Sequence, residues 1–211
     1  MCGRFAQSNI IKGTTDVVKS VIGKVENLDN YNISPGQEAA VIKKYSNGRA
    51  LEVAQWSIVP SWAKDKDGFR PLYNTRIESL NKPYFKRLIS ENRLIIPCSY
   101  YYEWSKSENS KKIPFCFKMN DSGELMYLAG IFEKRQFTII TRDATPTNEK
   151  IHHRQPVIIN KSKINEYLNV KNDALEVLNT INPPDLSFYQ IGFEINNPKN
   201  NSSDLINPFK S

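Results

Sequence analysis

Cysteine is scarce in this chain, with only Cys2, Cys98 and Cys116 among 211 residues. Their odd number and the absence of a CxxC spacing argue against a disulfide framework and a zinc site, so no metal or other cofactor is expected and Cys2 reads as a free thiol. Long hydrophobic runs are missing as well. No stretch approaches the roughly 18 consecutive apolar residues of a membrane span, and the opening MCGRFAQS lacks the apolar centre of a signal peptide. The expectation is a cytoplasmic protein with no membrane partner, associated with the nucleoid if the source is bacterial. Repeats, heptads and low-complexity tracts are also absent, which excludes solenoids and coiled coils.

What is present fits one globular domain spanning 1–211, with 39% hydrophobic and 24% charged residues. Lys and Arg number 29 against 22 Asp and Glu, a net charge of +7 that favours polyanionic partners. The charges are dispersed, so this balance alone does not decide whether nucleic acid is bound. Runs rich in β-branched and aromatic residues predict strands over Ala39–Tyr45, Leu51–Ile58, Arg93–Tyr102, Phe115–Met119, Met126–Phe132, Gln136–Thr141 and Pro156–Ile159. Helices are expected over Asp16–Ile22, Asn81–Glu91, Ser162–Leu168 and Asp173–Thr180. Because strands and helices do not alternate, the fold class is α+β, with a mostly antiparallel, barrel-like β core and flanking helices. Asn-rich stretches near 27–32 and 196–201 read as exposed turns.

Cys2 has a distinctive chemistry if Met1 is removed, as commonly happens before a small second residue. A single residue would then carry a free amine of reference pKa about 8 and a thiol of about 8.5. The amine condenses with an aldehyde to an imine, and the thiol closes a five-membered thiazolidine, a reaction closed to a cysteine whose nitrogen is in a peptide bond. Taken alone, the position is more simply an incidental second residue.

His152 and His153 are the only histidines, and histidine is the side chain best suited to moving protons near neutrality. In an extended segment neighbours face opposite ways, so at most one of the pair is expected to point into a site. Glu103 lies in Tyr100–Trp104, where desolvation would raise its pKa and an Arg partner would lower it. A proton-transfer group and a structural ion pair are equally open there. The run 74–78 reads as a turn presenting Asn74 and Arg76. Trp62 beside positive charge suits base stacking, whereas Trp56 is assigned to the core.

Several of these runs together resemble the SRAP family, the SOS response-associated peptidase-like proteins. The resemblance is carried by Met1–Phe5, Asn32–Gln37, Trp56–Ala63, Asn74–Glu78, Tyr101–Trp104 and Ile151–Val157, with further likeness from Asn196 to Ile206. It implies a mixed fold with a β-barrel-like core, and action on abasic sites in single-stranded DNA through a covalent thiazolidine crosslink to Cys2. Carried over residue by residue, Asn74, Glu103 and His152 join Cys2 as catalytic residues. Arg4, Arg76 and Arg154 become DNA-backbone contacts, Trp104 lines the pocket, Trp62 lies near the strand's exit, and Thr141 sits near the site. Ser57 and Gln155 depart from the family's usual Gly and Met. A monomer is expected. Three alternatives stay open: a thiol peptidase or hydrolase, an AP lyase, and a DNA-binding module without covalent chemistry.

Overall fold

The computed structural model describes residues 2–23, 25, 29–63, 68–106, 112–121 and 123–209. Among these the chain forms strands β1 (Arg4–Gln7), β2 (Ser20–Val21), β3 (Asn30–Ile33), β4 (Glu38–Tyr45), β5 (Gly48–Trp56), β6 (Asn74–Arg76) and β7 (Arg93–Cys98). They continue with β8 (Tyr100–Lys106), β9 (Lys112–Met119), β10 (Met126–Glu133), β11 (Gln136–Asp143), β12 (Arg154–Pro156) and β13 (Leu186–Gln190). The mixed class and the barrel-like core are as the sequence predicts.

Five strands close on themselves. β5, β4, β7, β10 and β11 are joined by successive antiparallel pairings, and β11 then meets β5 in parallel, Gln136 opposite Gln55 and Phe137 opposite Trp56. A ring with an odd number of strands cannot alternate direction throughout, so one parallel seam is a topological necessity. Closure removes the exposed edges that an open sheet would present. A second sheet, ordered β13-β9-β8-β1-β3, packs against the ring.

The two-residue strand period divides the core. Ala40, Ile42, Ile95, Tyr127 and Ala129 join the cluster under the helices, whereas Ala39, Val41, Leu94, Ile96, Met126 and Leu128 face Phe5, Ile33, Tyr101 and Phe117 of the second sheet. With both faces covered, β7 is buried along its whole length. Gly130 shows how close the packing is, since a Cβ there would lie 2.7 Å from Ile96 Cδ1 and Leu94 Cδ1.

The expected strand Arg93–Tyr102 is in fact two strands. Ser99 breaks it: its hydroxyl accepts from Ser8 N at 3.0 Å and donates to Ser8 O at 3.0 Å, turning the chain from the ring into the second sheet. Helices form at Pro83–Glu91, at Ile164–Tyr167 after a 3-10 turn, and at Ala174–Asn179, where the Asp173 side chain caps the N–H groups of Leu175 and Glu176. The helix expected over Asp16–Ile22 is absent. Its β-branched residues favour extension, and Ser20–Val21 instead adds in parallel to β5.

The first Asn-rich stretch is another correction. Residues 196–201 form the exposed turn expected, but Asn32 is 1% exposed and Tyr31 N donates to Asn201 Oδ1, so the described part of the first stretch is bound to the second; residues 27 and 28 lie outside the described residues. No helix of the described residues is long and apolar enough to cross a membrane.

Candidate active site

The β1–β8 pairing sets Arg4 opposite Tyr102, which carries the start of the chain alongside Glu103 and Trp104. Cys2 is fully buried, and Asn74 at the head of β6 donates from Nδ2 to the Cys2 carbonyl oxygen at 2.7 Å. β6 was expected as a turn. It is held as a strand by parallel pairing to β11, Asn74 opposite Ile139 and Arg76 opposite Thr141, and this places Asn74 and Thr141 on neighbouring strands. Met1 lies outside the described residues.

Burial sets the electrostatics. It pushes the Cys2 thiol far above its ordinary value, and the nearby Glu103 carboxylate pushes it further in the same direction. Glu103 is 4% exposed, and burial raises its pKa to about 7, close to the pH at which a proton is exchanged most readily. The open alternative of an Arg ion pair that lowers Glu103 is therefore not the dominant effect. Cys98, also buried, is raised by desolvation and then by Cys2, so both thiols are neutral near pH 7.

His152 shares with Glu103 an open cleft of about 1080 Å³, whose walls include Trp104, Lys150, His153 and Asn196. Burial lowers His152 to about 4, so the imidazole is neutral near pH 7. Its Nδ1 lies 3.0 Å from Arg154 N and 3.2 Å from Arg154 O, so the backbone of Arg154 fixes the ring on that side and leaves Nε2 without a part in this contact. The segment is not extended as expected. A tight turn stacks the rings of His152 and His153 with centroids 4.4 Å apart, and both line the cleft.

The three arginines differ. Arg76 is exposed on β6. Arg4 is half-buried; its Nη1 donates to Asn32 Oδ1 at 2.6 Å and to Ile195 O at 2.9 Å, and its guanidinium lies 6.0 Å from the Trp104 ring centroid. Arg154 is 5% exposed and donates to Glu78, Asp143 and Thr141 O. Burial works against its charge, but the bonds it donates to the two carboxylates outweigh that and hold it firmly cationic.

Trp62 is 55% exposed and stands outside the cleft lining, edge-on to Phe69 and Tyr84. Trp56 is in the core, as assigned. Thr141 is fully buried, and its hydroxyl has no hydrogen-bond partner among the described residues, nor has Asn74 Oδ1. Gln155 accounts for one departure from the family pattern: its Oε1 accepts from Thr145 N and Asn148 Nδ2, fixing the turn that leads into the histidines.

Sequence reasoning missed the Glu78–Arg154–Asp143 network, the second histidine in the cleft and the Asn32 contacts. Glu78 and Arg154 meet only because β6 and β12 flank β11, and no local spacing reveals that. Among the described residues, no three His, Cys, Asp or Glu side chains gather as a metal-binding group.

Known proteins place this geometry in a family. The model of the SOS response associated peptidase (SRAP) family matches residues 1–198. Abasic site processing protein YoaM of Bacillus subtilis is 34% identical over 98% of this chain and 97% of its own. YoqW of Bacillus phage SPbeta, also called an abasic site processing protein, is 32% identical over 98% of this chain and 99% of its own. A crystal structure of a protein from Bacteroides thetaiotaomicron superposes with a TM-score of 0.74 at 20% identity, covering 100% of this chain and 98% of that one, and so shares the fold. With nearly the whole chain matched by the family model, the protein belongs to the SRAP family.

Proposed function

We propose that this protein processes abasic sites in single-stranded DNA, forming a covalent thiazolidine crosslink through Cys2 once Met1 has been removed. Its relatives YoaM and YoqW carry the name abasic site processing protein, which supports the substrate. The observation that carries the chemistry is the Asn74 bond to the Cys2 carbonyl, which fixes the start of the chain beside a carboxyl of pKa about 7.

The opened deoxyribose presents an aldehyde. The Cys2 amine adds to its carbon, and loss of water gives an imine. The S–H of Cys2 then adds across the C=N bond: sulfur bonds to carbon and the thiol proton ends on nitrogen, so atoms balance and nothing is oxidised. A buried neutral thiol needs a base for this step, and Glu103 is poised to take the proton and return it. His152 moves a proton at the sugar ring oxygen during opening, and Asn74 and Thr141 orient the sugar.

Arg4 and Arg76 hold flanking phosphates, with Trp104 at the pocket and exposed Trp62 stacking a base farther along the strand. Arg154 is closed on two carboxylates, which disfavours the phosphate contact that the resemblance implies and favours a role in holding the His152 turn through its backbone. The peptidase reading is weaker on physical grounds. A thiol protease needs a thiolate and an imidazolium, whereas burial here moves Cys2 up and His152 down, away from that pair.

The test inserts one Ala between Met1 and Cys2, which keeps the thiol but makes the Cys2 nitrogen an amide. Intact mass after incubation with an abasic single strand should show one adduct for the wild type and none for the insertion. Cys2→Ser should keep at most a reversible imine or weak strand cleavage. A stable adduct formed at the wild-type rate by the insertion variant, with Cys2 still blocked, would overturn the mechanism.

A further inference from the structure

One wall of the cleft comes from a region with no assigned role. Residues 193–201 follow β13, and Phe193 and Asn196 of this segment line the cleft. Asn32, on the edge strand of the second sheet opposite β13, ties the segment down by its backbone carbonyls. Asn32 Nδ2 donates to Asn197 O and Asn200 O, each at 2.9 Å, with a longer contact of 3.3 Å to Ile195 O. Its Oδ1 meanwhile accepts from Arg4 Nη1 at 2.6 Å.

Arg4 thus stands between two anchors belonging to one device. Nη1 reaches both Asn32 and Ile195 O, and its guanidinium faces the Trp104 ring, whose Nε1 donates to Asn196 Oδ1 at 2.8 Å. An arginine side chain has many rotamers, and fixing it before binding lowers the entropy lost when it grips an anion. Asn32 has no contact with Cys2, Asn74 or Glu103 among the hydrogen bonds of the described residues. Its influence is directed at the rim of the cleft and not at the carbonyl chemistry.

We propose that Asn32 is a positioning residue, and that the 193–201 segment it anchors is a wall that presents Arg4 and Trp104 to the DNA strand flanking the abasic site. This rests on the function proposed above. It assigns strand affinity to the strap and leaves the bond-forming step to Cys2, Glu103 and His152.

The experiment measures adduct formation by the full chain across a range of abasic-strand concentrations, for the wild type, Asn32→Ala and the exposed-site variant Asn196→Ala. A parallel reaction uses a small aldehyde, glyoxylate, with thiazolidine read by mass. Asn32→Ala should raise the half-saturating strand concentration about tenfold, the loss expected for one charge-assisted contact. Asn196→Ala should raise it about threefold, and both should keep the maximal rate and the glyoxylate rate within about twofold of wild type.

In an Arg4→Ala background, Asn32→Ala should add less than about twofold, because the two residues act as one unit. If Asn32→Ala does not fold, Asn196→Ala carries the same split by itself. An unchanged half-saturation, a fall confined to the maximal rate, or full additivity with Arg4→Ala would each overturn the proposal. A wild type that forms no adduct would instead strike the underlying function, so the two failures are distinguishable.

Discussion

The two sides of the barrel treat buried polar groups in opposite ways. On the helix-covered side Arg93 is 5% exposed, and its guanidinium donates to the carbonyls of Ile89, Tyr167, Asn169 and Asn172, capping helix ends as cations do. At the site Arg154 is just as buried, yet its Nε lacks a hydrogen-bond partner among the described residues, as do Arg4 Nε, Asn74 Oδ1 and Thr141 Oγ1. A buried polar group left unpaired costs about 1–3 kcal/mol. Completed bonding on one side builds stability, while incomplete bonding is kept where a ligand can complete it.

The largest effect should come from breaking the completed side. Arg93→Ala strands four carbonyls and should lower stability by about 3 kcal/mol or more, seen as a melting temperature lower by about 10 °C. Adduct formation at 25 °C, below the transition, should stay at the wild-type rate. A matching loss of rate would show that the two sides are not independent.

Glu103→Gln should act in the opposite direction on stability. The folded carboxyl titrates near 7, against an ordinary value of 4.5, so the folded state holds a proton that the unfolded chain releases between those values. Stability from this group is therefore fully present below pH 4.5, is lost as pH rises to about 7, and is level above. Between pH 4.5 and 8 the variant should gain about 3 kcal/mol relative to wild type, measured by denaturant unfolding at each pH. Its adduct rate should fall on the order of 10². A pH-independent stability difference would remove the buried, strained carboxyl from the argument.

His152→Ala should likewise slow the adduct on the order of 10², with His153→Ala milder although its ring shares the cleft. Because burial lowers His152 to about 4, the wild-type rate should show no inflection near 6.5 that belongs to the imidazole, whereas the inflection near 7 should disappear in Glu103→Gln. An inflection near 6.5 that vanishes in His152→Ala would mean that the ring is solvated and charged, unlike its place in this fold.

The legible parts of the molecule were those whose physics is local. Ile95 and Ile96 sit in a run buried on both faces, and such a run reads as a strand without its partners. The rings beside Glu103 made desolvation one of two equally open effects, and its burial in the fold decides between them. Asn74–Arg76 did not read as a strand, because three residues carry no period and only pairing with β11 holds them extended. Nor did Asn32 read as buried: asparagine favours turns locally, and carbonyls more than 160 residues away override that preference. The histidines were misjudged because a tight turn, fixed by Gln155, replaces the extended segment on which the alternation rule depends.

The smallest effect separates Arg76 from Arg154. Arg76 is exposed and can meet a phosphate directly, so Arg76→Ala should flatten the log-log salt dependence of single-strand binding by about 0.7 and leave the melting temperature unchanged. Arg154 is closed on Glu78 and Asp143, and burial of its guanidinium makes a free fork costly to produce. Arg154→Ala should leave the salt slope nearly intact and lower the melting temperature, because it deprives both carboxylates of their partner and Thr141 O of its donor. The Glu78 carboxyl, held below its ordinary pKa by the bond from Arg154, should return toward that value in the variant. Binding titrations over a range of salt, paired with melting curves, decide the matter. If Arg154→Ala flattens the slope as Arg76→Ala does and melts like wild type, the network opens to receive DNA, and its closed state is a resting form of the binding surface.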